Sequence, residues 1–277
     1  RGKVVFGPGA DGARLEGSKR WMKDLVASAG VPTARYGTFG STDVDLALAF
    51  LATMAPPYVI KTDGLAAGKG VLVTADHRVA AEDVREKLAG TRFGDAGRRV
   101  VIEEGLQGPE VSMFALCDGH NAVLVPTVAQ DHKRVGDGDT GPNTGGMGCF
   151  SPVPGLEIAD LDRLMSVAVH PTMAELIRRG IDYRGVLYAG FMLTEDGPRL
   201  LEYNVRFGDP EAQVILPRLD VDLAEVLYQA ASGDLRTELK VSADAMVTVV
   251  CAAEGYPVAT RVGDVIHGLE AARALEG

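Results

Sequence analysis

Hydrophobic and polar positions alternate most clearly in the stretch Arg199–Glu211. Successive side chains of a strand point to opposite faces, so Glu202, Asn204 and Arg206 are predicted to share one face. The apolar face is predicted to take Leu201, Tyr203 and Val205. Two interpretations of the polar face stay open. It is either the solvated side of an ordinary sheet, or a site where two oxygen ligands hold a divalent cation and the guanidinium holds a phosphoryl oxygen.

Apolar residues at helical spacing predict several helices. These follow Ser18, follow Thr42, span 80–88 and 158–179, and follow Asp220. Pro171 lacks a backbone N–H and must kink or split the long helix. Apolar and β-branched runs predict strands at 4–6, on both sides of the glycines at 64–70, and at 99–104, 110–116, 122–128, 186–193 and 245–252. The run 186–193 is almost continuously apolar, which is typical of a strand buried on both faces.

A glycine-rich hairpin is predicted within Tyr58–Val73. Glycines allow the backbone to approach a phosphate closely, and Lys61 and Lys69 add positive charge. The segment Gly68–Gly70 is not a Walker A loop, because no Ser or Thr follows the lysine and a strand comes next. Lys19 in the first turn of a helix opposes the helix dipole, so it is either solvated or placed for a ligand phosphate. For the glycine-rich hairpin, the alternative interpretation is a flexible turn that binds no ligand.

Two further segments are rich in charge. The strand Arg99–Glu104 ends in two acids, and a turn separates it from Glu110. A strand end beside a turn can bond a base edge and a ribose, although a solvated acidic turn explains the same residues. The loop Asp131–Gly148 mixes charges and glycines and offers few apolar side chains to bury. We expect a binding loop there rather than disorder, because long irregular loops of mixed composition are usually functional.

Composition narrows the classes of function. The 277 residues indicate one large domain or two ordinary ones, and the net charge of −10 argues against nucleic acid or an anionic membrane as the main partner. Three separated cysteines favour a reducing compartment and exclude a zinc cluster built from cysteines. The sequence shows neither an apolar run long enough to span a bilayer nor a signal-peptide pattern. A cytoplasmic protein is expected.

Several of these blocks, in this order, resemble the signature blocks of the glycinamide ribonucleotide synthetase family, which consists of ATP-grasp enzymes of purine synthesis. They are 61–70, Glu103–Glu104 with Glu110, 130–148 and 202–211. The resemblance implies an α/β chain with the ATP-grasp fold, in which two α+β lobes grip ATP. It implies a remnant of an N-terminal nucleotide-fold-like domain at 1–17, an ATP-grasp domain at 18–238 with a small lobe at about 55–125, and the start of a truncated C-terminal domain at 239–277.

The same resemblance implies roles for individual residues. Nucleotide binding would involve Lys19, Lys61, Gly64, Gly68, Lys69, Gly70, Glu103, Glu104, Gly105, Leu106 and Glu110. Within this set, Glu103–Leu106 would form the hinge for the adenine base and Glu110 would take the ribose. Substrate binding would involve Asp131, Arg134, Asn143, Gly145 and Gly146. Glu202 and Asn204 would bind Mg²⁺ or Mn²⁺, and Arg206 and Lys69 would be the catalytic cations. The family usually has a bulky residue at the position of Gly105 and an acid at that of Pro109, so details of nucleotide contact differ.

The implied reaction activates glycine with ATP as glycyl phosphate, which the amine of phosphoribosylamine attacks. The implied partners are small molecules only, with neither nucleic acid nor membrane. The sequence leaves open whether the chain is a monomer or a dimer. Two alternatives remain open. One is a fragment that binds nucleotide without turnover, and the other is an ATP-grasp ligase with a different acceptor.

Overall fold

The computed structural model describes residues 2–64, 70–91 and 98–275, in which helices and strands are mixed along the chain. The helices are α1 (Ala10–Gly17), α2 (Lys19–Ser28), α3 (Val44–Leu51), α4 (His77–Leu88), α5 (Ile158–Leu164), α6 (His170–Arg178), α7 (Ala212–Ile215), α8 (Leu223–Ser232) and α9 (Leu269–Arg273). The strands are β1 (Tyr36–Gly40), β2 (Tyr58–Thr62), β3 (Val71–Thr74), β4 (Arg99–Glu104), β5 (Glu110–Asp118), β6 (Ala122–Asp131), β7 (Arg134–Gly136), β8 (Thr140–Asn143), β9 (Gly148–Ser151), β10 (Arg184–Thr194), β11 (Gly197–Asn204) and β12 (Met246–Val249). The expected α/β class is confirmed.

A four-stranded antiparallel sheet in the order β1-β4-β2-β3 forms the smaller half. Helices α3 and α4 cover it, and Leu51, Ile60 and Val84 are fully buried between sheet and helices. This half uses residues between Tyr36 and Glu104. It therefore begins and ends earlier than the small lobe expected at 55–125, because β1 joins this sheet and β5 joins the other. The domain boundaries stay a prediction.

A six-stranded sheet in the order β11-β10-β5-β6-β9-β12 forms the larger half. Its central strands β5 and β10 are buried on both faces, as the apolar run at 186–193 predicts. Leu187 and Phe191 face a core shared with α1, α2, α5 and α6, whereas Val186 and Tyr188 face a second core shared with α7 and α8. Two helical layers therefore enclose the middle of this sheet.

Strand β11 departs from simple alternation at a bulge. In the pairing with β10, Gly190 lies opposite Glu202 but the next residue of β10, Phe191, lies opposite Leu200, so Leu201 has no partner. Leu200 and Tyr203 are buried at 0% and 1% exposure, so the apolar face holds Leu200 in place of the predicted Leu201. An extra residue in one strand changes the phase of the side chains, and the sequence pattern alone does not mark it.

The long helix predicted over 158–179 is split, as Pro171 requires. A π-helical segment, Met165–Val169, joins α5 to α6, and the N–H of His170 donates to the carbonyl of Met165. A proline cannot donate an intrahelical hydrogen bond, and one wide turn accommodates the missing donor.

The strand predicted near the start of the sequence is not observed, whereas the one predicted near its end is. The residues 4–6, predicted as a strand, form no strand, and Val4 and Val5 are 53% and 70% exposed. At the other end, β12 is found within the run predicted at 245–252 and pairs with β9. Among the described residues, no helix is long and apolar enough to cross a membrane.

The cysteines are all unpaired thiols. Cys117 and Cys149 are buried within the larger sheet, and burial raises the pKa of the Cys149 thiol to about 12. Cys251 is exposed and directly follows Val250, whose N–H donates to the carbonyl of Met147 at 2.9 Å.

Candidate functional site

A buried group of charges lies where the two sheets meet. Lys61 of β2 places its Nζ 3.0 Å from Oε2 of Glu103 on β4, and Lys23 of α2 places its Nζ 3.3 Å from Oε1 of the same carboxylate. All three side chains are at most 10% exposed. We call Lys23, Lys61 and Glu103 the lysine–glutamate cluster. Buried ions need such partners because desolvation otherwise penalises the charge.

The cluster keeps its charges. Burial favours the neutral carboxylic acid at Glu103, but Lys61 and Lys23 outweigh it and hold the pKa of that carboxyl below its usual value. Burial likewise disfavours the Lys61 ammonium, yet Glu103 and then Glu202 raise the pKa of Lys61. Burial lowers the pKa of Lys23 to about 8, with Glu103 opposing the shift. The sequence pattern includes Lys61 but omits Lys23, although its spacing of four residues from Lys19 puts both lysines on one face of α2.

The start of α2 is fixed to the end of β2. Ser18 caps the helix by accepting a hydrogen bond from the N–H of Trp21, and its hydroxyl donates to Asp63 at 3.0 Å. Lys19 donates to the carbonyl of Gly64 at 3.3 Å, and burial lowers the pKa of its ammonium, with Glu202 the largest opposing influence. The helix therefore brings Lys19 to the beginning of the predicted glycine hairpin.

The hairpin itself is described only at its ends. The N–H of Thr62 donates to the carbonyl of Gly70 at 2.9 Å, so the two ends of the segment lie side by side. Gly68 and Lys69 lie outside the described residues, and their predicted roles stay predictions.

The predicted hinge for the adenine base connects β4 to β5. The carboxylate of Glu104 accepts a hydrogen bond from the N–H of Arg35 at 2.8 Å. A Cβ at Gly105 would lie 2.3 Å from the carbonyl oxygen of Pro57, so this close approach explains the glycine. Leu106 follows half-buried. Glu110 begins β5 and pairs with Lys133 at 2.5 Å.

Asp131 ends β6 beside Lys133, with its Oδ1 4.0 Å from Nζ, and its side chain is 7% exposed. Burial raises the pKa of Asp131 to about 6; Lys133 opposes this, and Glu211 and Glu110 add to it. Glu211 is itself buried and accepts a hydrogen bond from the hydroxyl of Tyr188 at 2.8 Å. The protonation state of Asp131 therefore depends on the charges of Lys133, Glu211 and Glu110.

Hydrogen bonds to backbone groups of the loop hold the segment that follows Asp131. β7 and β8 form a short hairpin in which the guanidinium of Arg134 donates to the carbonyl of Gly141 at 2.7 Å, while Asn143 is exposed. The N–H of Gly145 donates to the hydroxyl of Tyr256 at 3.2 Å, and a Cβ at Gly146 would lie 2.4 Å from Cδ of Pro210. Within the described residues, no contact links Arg134 or Asn143 to the lysine–glutamate cluster.

The predicted metal and phosphoryl residues lie on β11 and just beyond it. Glu202 is half-buried, and its charge raises the pKa of Lys133 as well as that of Lys61. Arg206 follows the end of the strand, where its Nη2 lies 3.1 Å from Glu16 of α1 and 3.4 Å from Oδ1 of Asn204. Glu16, which the sequence analysis does not include, therefore orients Arg206.

The donors on β11 suit a hard cation. Among the residues that the structure describes, no group of three or more His, Cys, Asp or Glu side chains is placed to hold a metal. Mg²⁺ commonly takes one or two carboxylates and completes its shell with phosphate oxygens and water. The carboxylate of Glu202 and the carboxamide oxygen of Asn204 fit such a metal.

Comparison with known proteins identifies the family. Residues 17–212 match the family described as phosphoribosylglycinamide synthetase, ATP-grasp (A) domain. The chain belongs to this family. The match covers α2 to the first residue of α7, so every described residue of the candidate site except Glu16 and Tyr256 lies within the family's domain.

Relatives support the assignment. The chain is 50% identical over 272 residues to a phosphoribosylamine–glycine ligase of Caulobacter vibrioides, a match that covers 98% of this chain and 63% of the relative. It is 48% identical to the chloroplastic phosphoribosylamine–glycine ligase of Arabidopsis thaliana, with 99% of this chain and 52% of the relative covered. The chain therefore spans between half and two thirds of the length of these relatives.

Solved structures show the same fold. The phosphoribosylamine–glycine ligase of Thermotoga maritima superposes with a TM-score of 0.83 at 37% identity, over 93% of this chain and 64% of that one. A biotin carboxylase of Campylobacter jejuni superposes with a TM-score of 0.70 at 18% identity, over 91% and 55%, which shows the fold alone. The ATP-grasp fold implied by the sequence motifs is confirmed.

Proposed function

We propose that this chain carries the nucleotide and metal site of a phosphoribosylamine–glycine ligase, which joins glycine to phosphoribosylamine with ATP. One observation carries the proposal. Lys61 comes from β2 of the smaller half and Lys19 from α2, and the charge of Glu202 on the larger sheet favours the ammonium form of both. Cations for phosphates therefore lie close to a carboxylate suited to a metal, within the domain that matches the family.

The residues divide the work of phosphoryl transfer. Lys19 and Lys61 would bind phosphate oxygens of ATP, and Glu202 and Asn204 would hold Mg²⁺ or Mn²⁺, which supplies charge neutralisation when bound. Arg206, oriented by Glu16, would stabilise charge on the transferring group. We place the adenine at the hinge formed by the backbone of Glu103–Leu106 and the ribose at Glu110.

The proposed reaction has two steps. The carboxylate of glycine attacks the γ-phosphorus of ATP, which forms glycyl phosphate and releases ADP. The amine of phosphoribosylamine then attacks the glycyl carbonyl, which forms the amide and expels phosphate. Asp131, Arg134, Asn143, Gly145 and Gly146 are proposed to serve the glycine and the amine. Catalysis in this scheme consists of positioning and charge neutralisation, because the glycine carboxylate and the triphosphate of ATP are both anionic and repel each other in water.

The experiment measures ADP release with Mg²⁺-ATP, glycine and phosphoribosylamine generated in the assay, with each component omitted in turn. ADP release that requires both glycine and the amine supports the proposal. Release that requires another acid, found by screening carboxylates, would point to a ligase with a different acceptor. Nucleotide binding without release would limit the chain to binding. A cytoplasmic location and a monomeric or dimeric state stay predictions.

A further inference from the structure

One carboxylate in the lysine–glutamate cluster serves two ammonium groups. Oε2 of Glu103 lies 3.0 Å from Lys61 and Oε1 lies 3.3 Å from Lys23. Each oxygen thus faces its own cation. The Lys23 side chain is 0% exposed, so bulk solvent does not share in balancing its charge.

Lys23 is anchored from the side of the larger sheet. Its ammonium donates to the hydroxyl of Thr33 at 2.7 Å, and that hydroxyl donates in turn to the carbonyl of Leu200 on β11 at 2.6 Å. Its Nζ also lies 5.5 Å from the centre of the Tyr36 ring. These partners are neutral, so they fix the position of Lys23 without neutralising it.

The two lysines face different surroundings. Glu202 of the proposed nucleotide and metal site favours the charged form of both lysines, and Glu110 also acts on Lys61. The Lys61 side chain is 10% exposed, whereas that of Lys23 is 0% exposed. Within the cluster, two ammonium groups against one carboxylate leave one positive charge in excess, and Lys61 is the lysine that is open to a ligand. If Lys23 were absent, Glu103 would neutralise Lys61 alone.

We infer that Lys23 is a positioning residue for the triphosphate of the nucleotide. It occupies one oxygen of Glu103, so that Glu103 holds the Lys61 ammonium in place without cancelling the charge that Lys61 offers to a phosphate oxygen. The inference rests on the nucleotide part of the proposed function and adds two roles: Lys23 and Glu103 act through Lys61, and the Glu103 side chain does not itself bind nucleotide.

The test compares the binding of Mg²⁺-ATP and of adenosine to the full 277-residue chain. Lys23→Met is expected to weaken Mg²⁺-ATP binding about tenfold by calorimetry, as truncating one partner of a buried charge pair does. Adenosine has no phosphate, so its inhibition constant against ATP is expected to stay unchanged. The matched control is Lys87→Met, which removes a buried lysine that pairs with Asp83 at 2.6 Å on the smaller half.

A second substitution separates positioning from packing. In Lys23→Met/Glu103→Gln the anion is removed as well, so Glu103 no longer offsets the Lys61 ammonium, whose charged form Glu202 still favours. We expect Mg²⁺-ATP binding to recover relative to Lys23→Met. If Lys23 only supported the fold, the double variant would bind more weakly than the single one.

The outcomes are distinct. Unchanged Mg²⁺-ATP affinity in Lys23→Met, equal losses for ATP and adenosine, or a weaker double variant would each overturn the inference while leaving the proposed function intact. Failure of the unsubstituted chain to bind Mg²⁺-ATP would overturn both. If Lys23→Met does not fold, Thr33→Val removes the anchoring hydroxyl, and we expect ATP binding about two- to fivefold weaker; unchanged binding would overturn the inference.

Discussion

The lysine–glutamate cluster and the β7–β8 hairpin both carry charged residues of the proposed site, but they are built in different ways. In the cluster each charge is buried and faces an opposite charge. In the hairpin, Asn143 is exposed and Arg134 is used to hold the hairpin's own backbone. A buried network is fixed before a ligand arrives, whereas an exposed hairpin is free to adjust to one. The proposed nucleotide side of the site is therefore the preorganised side.

The largest effect on turnover is expected from a substitution on β11. Glu202→Ala removes the carboxylate proposed to bind the metal, so we expect turnover to fall on the order of a thousandfold. Because Glu202 is only half-buried, the melting temperature should change little. ADP release measures the turnover, and thermal unfolding measures the melting temperature. Glu195→Ala, in the exposed turn that precedes β11, is the matched control; turnover that survives in Glu202→Ala would refute the metal assignment.

The second largest effect is expected at Lys61, within the lysine–glutamate cluster, and it tests whether the cluster serves the nucleotide. Lys61→Met removes the cation that links Glu103 to the proposed phosphates, and we expect Mg²⁺-ATP binding to weaken about a hundredfold. Unlike Glu202→Ala, it should also lower the free energy of unfolding, since Glu103 keeps a single buried partner. Calorimetry and denaturant unfolding test both parts. Normal ATP affinity in this variant would mean that Lys61 is structural only.

Asp131, at the end of β6 before the hairpin, predicts a pH dependence. Its folded-state pKa of about 6 exceeds the usual value of roughly 3.9, so the folded protein binds this proton more tightly than the unfolded chain does. The resulting stabilisation is fully present below about pH 4 and is lost as the pH rises through 6. Asp131→Asn does not titrate. The unfolding free energy of the unsubstituted protein minus that of the variant should therefore fall by about 2 kcal/mol between pH 4 and 7.

Urea unfolding of both proteins at several pH values measures that difference, and groups that Asp131 does not influence cancel in the subtraction. The groups facing Asp131 are Lys133, Glu211 and Glu110. A difference that stays constant with pH would show that Lys133 keeps the carboxylate ionised throughout this range.

The smallest effect is expected in the hairpin. Asn143→Ala should raise the KM for glycine or the amine about five- to tenfold and leave the KM for ATP nearly unchanged, because one exposed hydrogen-bonding group is lost. Asp137→Ala in the same hairpin is the control. The reverse pattern, with ATP affected and the acceptor unaffected, would place the hairpin on the nucleotide side and remove the comparison drawn above.

The sequence predicts the elements better than their contacts. Periodicity located α2, β10 and the split helix, because burial on one face or on both leaves a pattern in the residues themselves. The bulge at Leu201 left no such pattern, since a change of phase depends on the partner strand. The pairing of Lys23 with Glu103 also escaped prediction. Two residues 80 positions apart meet only through the packing of α2 against β4 and β11, which no local spacing encodes.

The contact of the C-terminal segment with the predicted binding loop has a practical consequence for chemical labelling. Of the three cysteines, only Cys251 is exposed, and its neighbour Val250 is hydrogen-bonded to Met147 of the loop. A thiol-reactive fluorophore at neutral pH would therefore attach to Cys251, because the other two thiols are buried. Such a label would sit beside the loop without any substitution, and its emission would report whether glycine, the amine or the nucleotide alters the loop's surroundings.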